Sequence, residues 1–150
     1  VVRIAFPVVN EQPEQESESP ETLFGGSERI LIIDDEKSIV TLLTYLFERL
    51  GYTVTSGTDP VEACVLFESD PNRFDLVITD MTMPRMTGFD LTKKIKAIRP
   101  DIPVILCTGY SDLIDEQKAF EAGIEKYIMK PLALYNVAET VRMVLDKRSA

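Results

Sequence analysis

From Arg29 onward the chain alternates short apolar runs with longer stretches whose apolar residues return every three or four positions. The runs predict strands at Ile30–Ile33, Thr53–Ser56, Leu76–Thr79, Val104–Cys107 and Lys126–Met129. The longer stretches predict helices near Ser38–Leu50, Val61–Glu68, Asp90–Ala97, Leu113–Ala122 and Leu134–Lys147. In the first helix Ile39, Leu42, Leu43, Leu46, Phe47 and Leu50 make one apolar stripe. Gly51 follows where a terminating glycine belongs, and Asp59-Pro60 reads as a cap and first residue opening the second helix. Ile30–Ile33 and Leu76–Ile78 are apolar on both faces, as central parallel strands under helices are. Five such units predict a doubly wound α/β domain, a five-stranded parallel sheet in a three-layer α/β/α arrangement. Ligands in such domains bind beyond the carboxyl ends of the strands, where the strand order switches.

The first 28 residues break this pattern. Residues 1–9 (VVRIAFPVV) alternate like a half-buried strand with no neighbour to form a hairpin. They read either as an extra edge strand or, the reading favoured, as the last strand of a preceding domain. Residues 10–28 carry six glutamates, two prolines and no Lys or Arg. This stretch is expected to be a solvated acidic linker, because it holds too little apolar surface to offset its ordering entropy. The main domain is then 29–148. A chain that starts on Val1 suggests a fragment or a processed product.

Composition narrows the chemistry. The 150 residues carry 16 basic against 25 acidic side chains, a net charge of −9. Nucleic acid and anionic membrane surfaces both require clustered Lys and Arg, so neither is an expected partner. There is no stretch long and apolar enough to span a membrane and no secretory signal, which leads to a cytoplasmic expectation. Histidine is absent, which excludes Cys/His zinc sites, Ser-His and Cys-His pairs, and a phosphohistidine on this chain. Cys64 and Cys107 lie in apolar contexts and read as reduced core thiols.

The predicted strand ends gather polar residues. Asp34, Asp35 and Glu36 follow the first strand, Asp80 the third, Thr108 the fourth, and Lys130-Pro131 the fifth. Each has an ordinary structural explanation: Asp35 or Glu36 capping the first helix, Asp80 and Thr108-Gly109 forming turns, Lys130 solvated. Those explanations do not account for four strands delivering them to one edge. Carboxylates crowded there repel by about 4 kcal/mol per pair at 4 Å and an effective dielectric of 20. One lysine cannot balance three of them, and hard oxygen ligands favour Mg²⁺, with Mn²⁺ as substitute.

The segments ILIIDDE (30–36), LVITDMTMPRMTGFD (76–90), VILCTGY (104–110) and YIMKP (127–131) together resemble the receiver domain of bacterial response regulators. The resemblance covers about residues 29–148 and implies flavodoxin-like strand order 2-1-3-4-5. It implies that Asp80 is the phosphoacceptor and that Asp34, Asp35, Asp80 and the main-chain carbonyl of Thr82 hold Mg²⁺. It further implies that Lys130 binds the phosphoryl group, that Thr108 is the switch hydroxyl and that Tyr127 is the rotating aromatic. Thr82 and Tyr110 fall where the lifetime of the acyl phosphate is modulated, and Lys130-Pro131 is expected to be cis. The donor would be a phosphohistidine-bearing kinase or phosphotransfer domain, and a downstream protein would read the face formed by about Asp112–Lys147.

Two other classes compete. A haloacid-dehalogenase-type hydrolase also uses a strand-end aspartate with Mg²⁺, but it wants a second Asp where Thr82 stands and leaves Asp34-Asp35 unexplained. An interaction module that keeps only the fold would not need Asp34, Asp35, Asp80, Thr108 and Lys130 together. The receiver would catalyse only its own phosphorylation and dephosphorylation. The run at 1–9, similar to the closing segment of a kinase ATP-binding domain, followed by a linker and a receiver, is the layout of a hybrid histidine kinase. On that reading no output domain is expected beyond Ala150. A stand-alone single-domain regulator is the alternative.

Overall fold

The computed structural model describes residues 24–109 and 120–149. Five parallel strands run β1 (Arg29–Ile33), β2 (Thr53–Gly57), β3 (Leu76–Asp80), β4 (Val104–Thr108) and β5 (Lys126–Met129), side by side in the order β2-β1-β3-β4-β5. The helices are α1 (Lys37–Arg49), α2 (Pro60–Ser69), α3 (Gly88–Ile98) and α4 (Leu134–Ser149). Of the predicted helix at Leu113–Ala122, residues 120–122 are helical and the remainder lies outside the described residues, as do residues 1–23. The doubly wound α/β expectation and the 2-1-3-4-5 order both hold.

Strand alternation divides the interior into two cores, one on each face of the sheet. Ile30, Ile32, Leu76, Ile78, Ile105 and Cys107 pack with Leu43 and Phe47 of α1 and Val137, Val141 and Leu145 of α4. Leu31, Ile33, Val77 and Val104 pack with Ala63, Cys64 and Phe67 of α2 and Leu91 and Ile95 of α3. In the second core the Phe67 and Phe74 rings stack with centroids 6.1 Å apart. Both cysteines are buried and unbridged.

The helix boundaries follow local chemistry. Gly51 takes φ +104° just past α1, and its missing Cβ leaves room for the Gly26 carbonyl. Asp59 accepts the Val61 N–H at 2.9 Å ahead of Pro60. Helix α3 starts two residues earlier than its apolar pattern indicates, because Thr87 and Asp90 cap it reciprocally. Leu42 departs from the predicted stripe and is exposed. It sits about 100° around the helix from buried Leu43, at the edge of the packed face.

The packed body begins before Arg29. Phe24 is buried in the first core, its ring edge-on to Tyr135 with centroids 4.9 Å apart. The Gly26 N–H donates to the Leu50 carbonyl. Arg142 of α4 gathers the neighbourhood, donating to the Gly25 carbonyl at 3.0 Å, the Tyr52 hydroxyl at 3.1 Å and Glu28 at 2.7 and 3.1 Å. It also pairs with Asp146 at 2.9 Å. Residues 24–28, placed in the linker on composition, are thus fastened to α4. Replacing Arg142 by Ala leaves the Glu28 carboxylate without its principal partner and should cost about 2 kcal/mol of stability, read as a lower denaturation midpoint in urea.

Candidate functional site

Strand parity that builds the first core also aims the acidic residues. Asp34 continues the Ile30–Ile32 series of β1, and Asp80 continues the Leu76–Ile78 series of β3, the strand hydrogen-bonded beside it. The two side chains therefore leave the same face at the same edge. Only 3% of Asp34 and 5% of Asp80 is exposed, whereas Asp35 is exposed. One carboxylate oxygen from each of Asp34, Asp35 and Asp80 falls within 4.8 Å of the others.

Lys130 enters from the far side of this edge. Its N–H donates to the Thr108 carbonyl at 2.7 Å, which fixes the end of β5 against β4. Its ammonium lies 3.0 Å from Asp80 Oδ1, 3.2 Å from Asp34 Oδ2 and 3.6 Å from Glu36 Oε1. The Lys130-Pro131 bond is cis, as expected. Asp34 is held further by the Glu36 N–H, which donates to its Oδ1 at 2.9 Å, and its own N–H donates to the Gly57 carbonyl. Glu36 occupies the cap position of α1 without a side-chain cap bond, so capping does not account for the acidic run. The Thr108 side chain, at the end of β4, is fully buried.

The charges are under tension. Burial raises the Asp34 carboxyl above its ordinary range despite the bond from Glu36 and the attraction of Lys130. Burial pushes Asp80 to about 6, Lys130 opposing the shift and Asp34 adding to it. Burial alone would lower Lys130, but Asp80 and Asp34 overcome it and the ammonium is held more firmly than usual. Cys107, beside Asp80 in the ladder, is pushed up to about 12 by burial and by the two carboxylates, so its thiol is inert.

A hard divalent cation fits this donor set: three convergent carboxylates, one of them exposed, with a single ammonium that leaves negative charge in excess. Asp34, Asp35 and Asp80 are the residues that could hold it.

The structure brings together Asp34, Asp35, Asp80 and Lys130, with Thr108 on the neighbouring strand end. Tyr127 lies on β5 opposite Leu106 and is 38% exposed. Thr82, two residues beyond Asp80, is exposed. Tyr110 and the first part of the Asp112–Lys147 face lie outside the described residues. Glu36, read from the sequence among the strand-end carboxylates, joins the Lys130 cluster. One contributor escaped the sequence reading. Gly88 lets α3 close on the site, since a Cβ there would collide with the Asp80 carbonyl and the Leu106 side chain.

This arrangement is an acidic site with one lysine at the carboxyl edge of a doubly wound parallel sheet, and comparison with known proteins gives its family. Residues 30–142 match the family model described as the response regulator receiver domain, and the chain belongs to that family. It is 32% identical over 121 residues to the alkaline phosphatase synthesis transcriptional regulatory protein PhoP of Bacillus subtilis, covering 81% of this chain and 50% of that protein. The chain thus spans about half the length of the curated relatives it matches. Among solved structures it superposes on a response regulator receiver domain protein from Clostridium thermocellum with a TM-score of 0.76 at 32% identity, covering 81% of this chain and 97% of that one. It is also similar to the signal receiver domain of a signal transduction histidine kinase from Syntrophus aciditrophicus, with a TM-score of 0.71 at 33% identity, covering 81% and 92%.

The raised Asp80 carboxyl has a consequence for stability without metal. Its folded pKa of about 6 exceeds the usual 3.8, so the folded state binds this proton more tightly than the unfolded one. The associated stability is full below about pH 4 and is lost as pH rises through 6. Asp80→Asn should therefore stabilise the metal-free protein by about 1 kcal/mol at pH 8, a magnitude reduced by solvent at the cleft, and by nothing at pH 3.5. Urea denaturation at the two pH values checks both the sign and its disappearance.

Proposed function

We propose that this receiver domain is the phosphoacceptor of a two-component phosphorelay, with Asp80 as the acceptor. The observation that carries the reading is the 3.0 Å pairing of Lys130 with Asp80 inside a cluster that also includes Asp34 and Asp35. A carboxylate oxygen of Asp80 attacks the phosphorus of a phosphohistidine in line. The P–N bond breaks, its electron pair returns to the imidazole, and an acyl phosphate forms on Asp80. Such a transfer proceeds through a loose transition state and requires positioning and charge neutralisation rather than a general base. Lys130 supplies positive charge beside the incoming phosphoryl oxygens. Mg²⁺, or Mn²⁺ in its place, would be held by Asp34, Asp35, Asp80 and the Thr82 carbonyl and would neutralise the remaining charge between carboxylates and phosphoryl group.

The buried Thr108 hydroxyl then turns to the phosphoryl oxygens, and Tyr127, half-exposed on the adjoining strand, moves inward. A downstream protein reads the altered Asp112–Lys147 face. Thr82 and Tyr110 set how readily water reaches the acyl phosphate. The domain catalyses only its own phosphorylation and dephosphorylation and works in the cytoplasm. No helix among the described residues is long and apolar enough to cross a membrane.

We infer that the domain is the receiver of a hybrid histidine kinase, with residues 1–9 belonging to the end of the kinase ATP-binding domain and the acidic segment after them to the linker. Support comes from the similarity to a histidine-kinase receiver of Syntrophus aciditrophicus. A regulator outside a kinase is the second reading, favoured by curated relatives named as transcriptional regulators. The gene upstream decides: ATP-binding motifs support the hybrid, and a start codon just ahead of Val1 removes it.

Incubation with Mg²⁺ and acetyl phosphate should add one phosphoryl group to the intact protein by mass spectrometry, and Asp80→Asn should add none. Thr108→Ala should still be phosphorylated yet lose the phosphorylation-dependent spectral change at Tyr127. Continuous phosphate release without a covalent adduct would indicate a hydrolase, and no reaction a module that keeps only the fold.

A further inference from the structure

The loop that follows Asp80 is closed on itself and tied sideways. The Gly88 N–H donates to the Met81 carbonyl at 2.8 Å, which draws its two ends together. Met83 is buried in the second core, and Met86 Sδ lies 3.8 Å from Cys64 Sγ on α2. At the tip, Arg85 has φ +72°, the left-handed region that residues with a Cβ seldom enter unaided. It is the one non-glycine residue so placed among the described residues.

The Arg85 guanidinium pairs with Asp59 Oδ2, while Asp59 Oδ1 caps α2 through the Val61 N–H. Asp59 lies two residues beyond Gly57, whose carbonyl accepts the Asp34 N–H at 3.3 Å. A ring of contacts thus runs from Asp34 across the end of β2, through Asp59 and Arg85, and back along the loop to Asp80. Thr82, between Asp80 and the buried anchor Met83, is carried on that loop. An exposed ion pair holds little by itself. Here it adds a third tie to a loop that Met83 and Met86 already hold against the second core and α2.

We infer that Arg85 is a positioning residue: with Asp59 it straps the 81–87 loop to α2 and so fixes the Thr82 main chain at the edge of the cation site. The inference rests on reading Asp34, Asp35 and Asp80 as a Mg²⁺ site. Partners that orient a ligand are as consequential as the ligand when their loss frees it to move.

The test compares the unsubstituted protein with Arg85→Ala, Arg85→Lys, Asp59→Asn, which keeps an oxygen to cap α2, and the Arg85→Ala/Asp59→Asn double variant. Calorimetry gives the Mg²⁺ dissociation constant, and amide hydrogen exchange on metal-free protein gives the protection of residues 81–87. The strap predicts affinity weakened about tenfold in Arg85→Ala and in Asp59→Asn, with no further loss in the double variant, and Arg85→Lys within about twofold of the unsubstituted protein. It also predicts faster exchange in the loop with β3 unchanged. Mg²⁺ bound equally well by Arg85→Ala, or unaltered loop exchange, overturns the strap and leaves the cation site standing. An unsubstituted protein that binds no Mg²⁺ overturns the site and the inference together.

Discussion

The structure turns on one ammonium set among carboxylates that water cannot fully reach. Lys130 touches Asp80 and Asp34, each almost wholly buried, and approaches Glu36. Removing two carboxylates from water is costly, and a single partner charge offsets only part of it. The residual is visible in the two groups themselves: both aspartates remain harder to ionise than free carboxyls even with the lysine in contact. A site left in this condition is built for something that adds positive charge or changes the number of negative ones. That is the electrostatic condition the proposed cation-dependent phosphoacceptor would use.

The surrounding fold exists to keep those charges from drifting apart. Asp34 and Asp80 sit at the ends of adjacent central strands whose other residues are locked in the first core. Their separation is therefore set by ladder spacing rather than by side-chain choice. Lys130 arrives from β5 two strands beyond Asp80, and the bond from its N–H to the Thr108 carbonyl makes its position depend on the β4–β5 pairing. Gly88 completes the enclosure from the opposite face by allowing the start of α3 to approach the Asp80 main chain. Each of these constraints belongs to a different element, which is why the site needs the whole sheet.

Much of this was legible because periodicity and strand ends are written locally. Two-sided apolar runs located β1 and β3, and the polar residue after each run located the site. What local pattern could not show was contact over distance. Phe24–Glu28 resembled the acidic linker by composition, yet Phe24 packs on Tyr135 and Glu28 meets Arg142, more than a hundred residues away. Leu42 fitted the apolar stripe of α1 but lies at its margin, where exposure depends on how wide a neighbour the helix meets. Strands β3 and β4 run one residue further than their apolar patterns, because ladder bonds continue to Asp80 and Thr108 after hydrophobicity stops. Arg85 carries a charge that any solvated surface would carry, and only its partner gives it meaning.

The placement of Thr108 and Tyr127 bears on how a charge change could travel. Thr108 stands opposite Met129 and Tyr127 opposite Leu106, so the two lie on neighbouring strands one pleat apart in register. Thr108 is fully enclosed, while Tyr127 is more than a third exposed. A hydroxyl drawn toward an acyl phosphate vacates enclosed volume, and close-packed interiors do not leave such volume empty. In the proposed switch, the aromatic ring one pleat away is the group that would fill it. Driving such a two-state exchange from 1:99 to 99:1 requires about 5.5 kcal/mol of differential interaction. In the proposed switch, charge-assisted bonds from Lys130 and Thr108 to a doubly charged group would supply that difference. On the proposed switch, the adjacency of β4 and β5 would couple site to surface, and the ladder that holds Lys130 in place would be the route by which its new partner is felt.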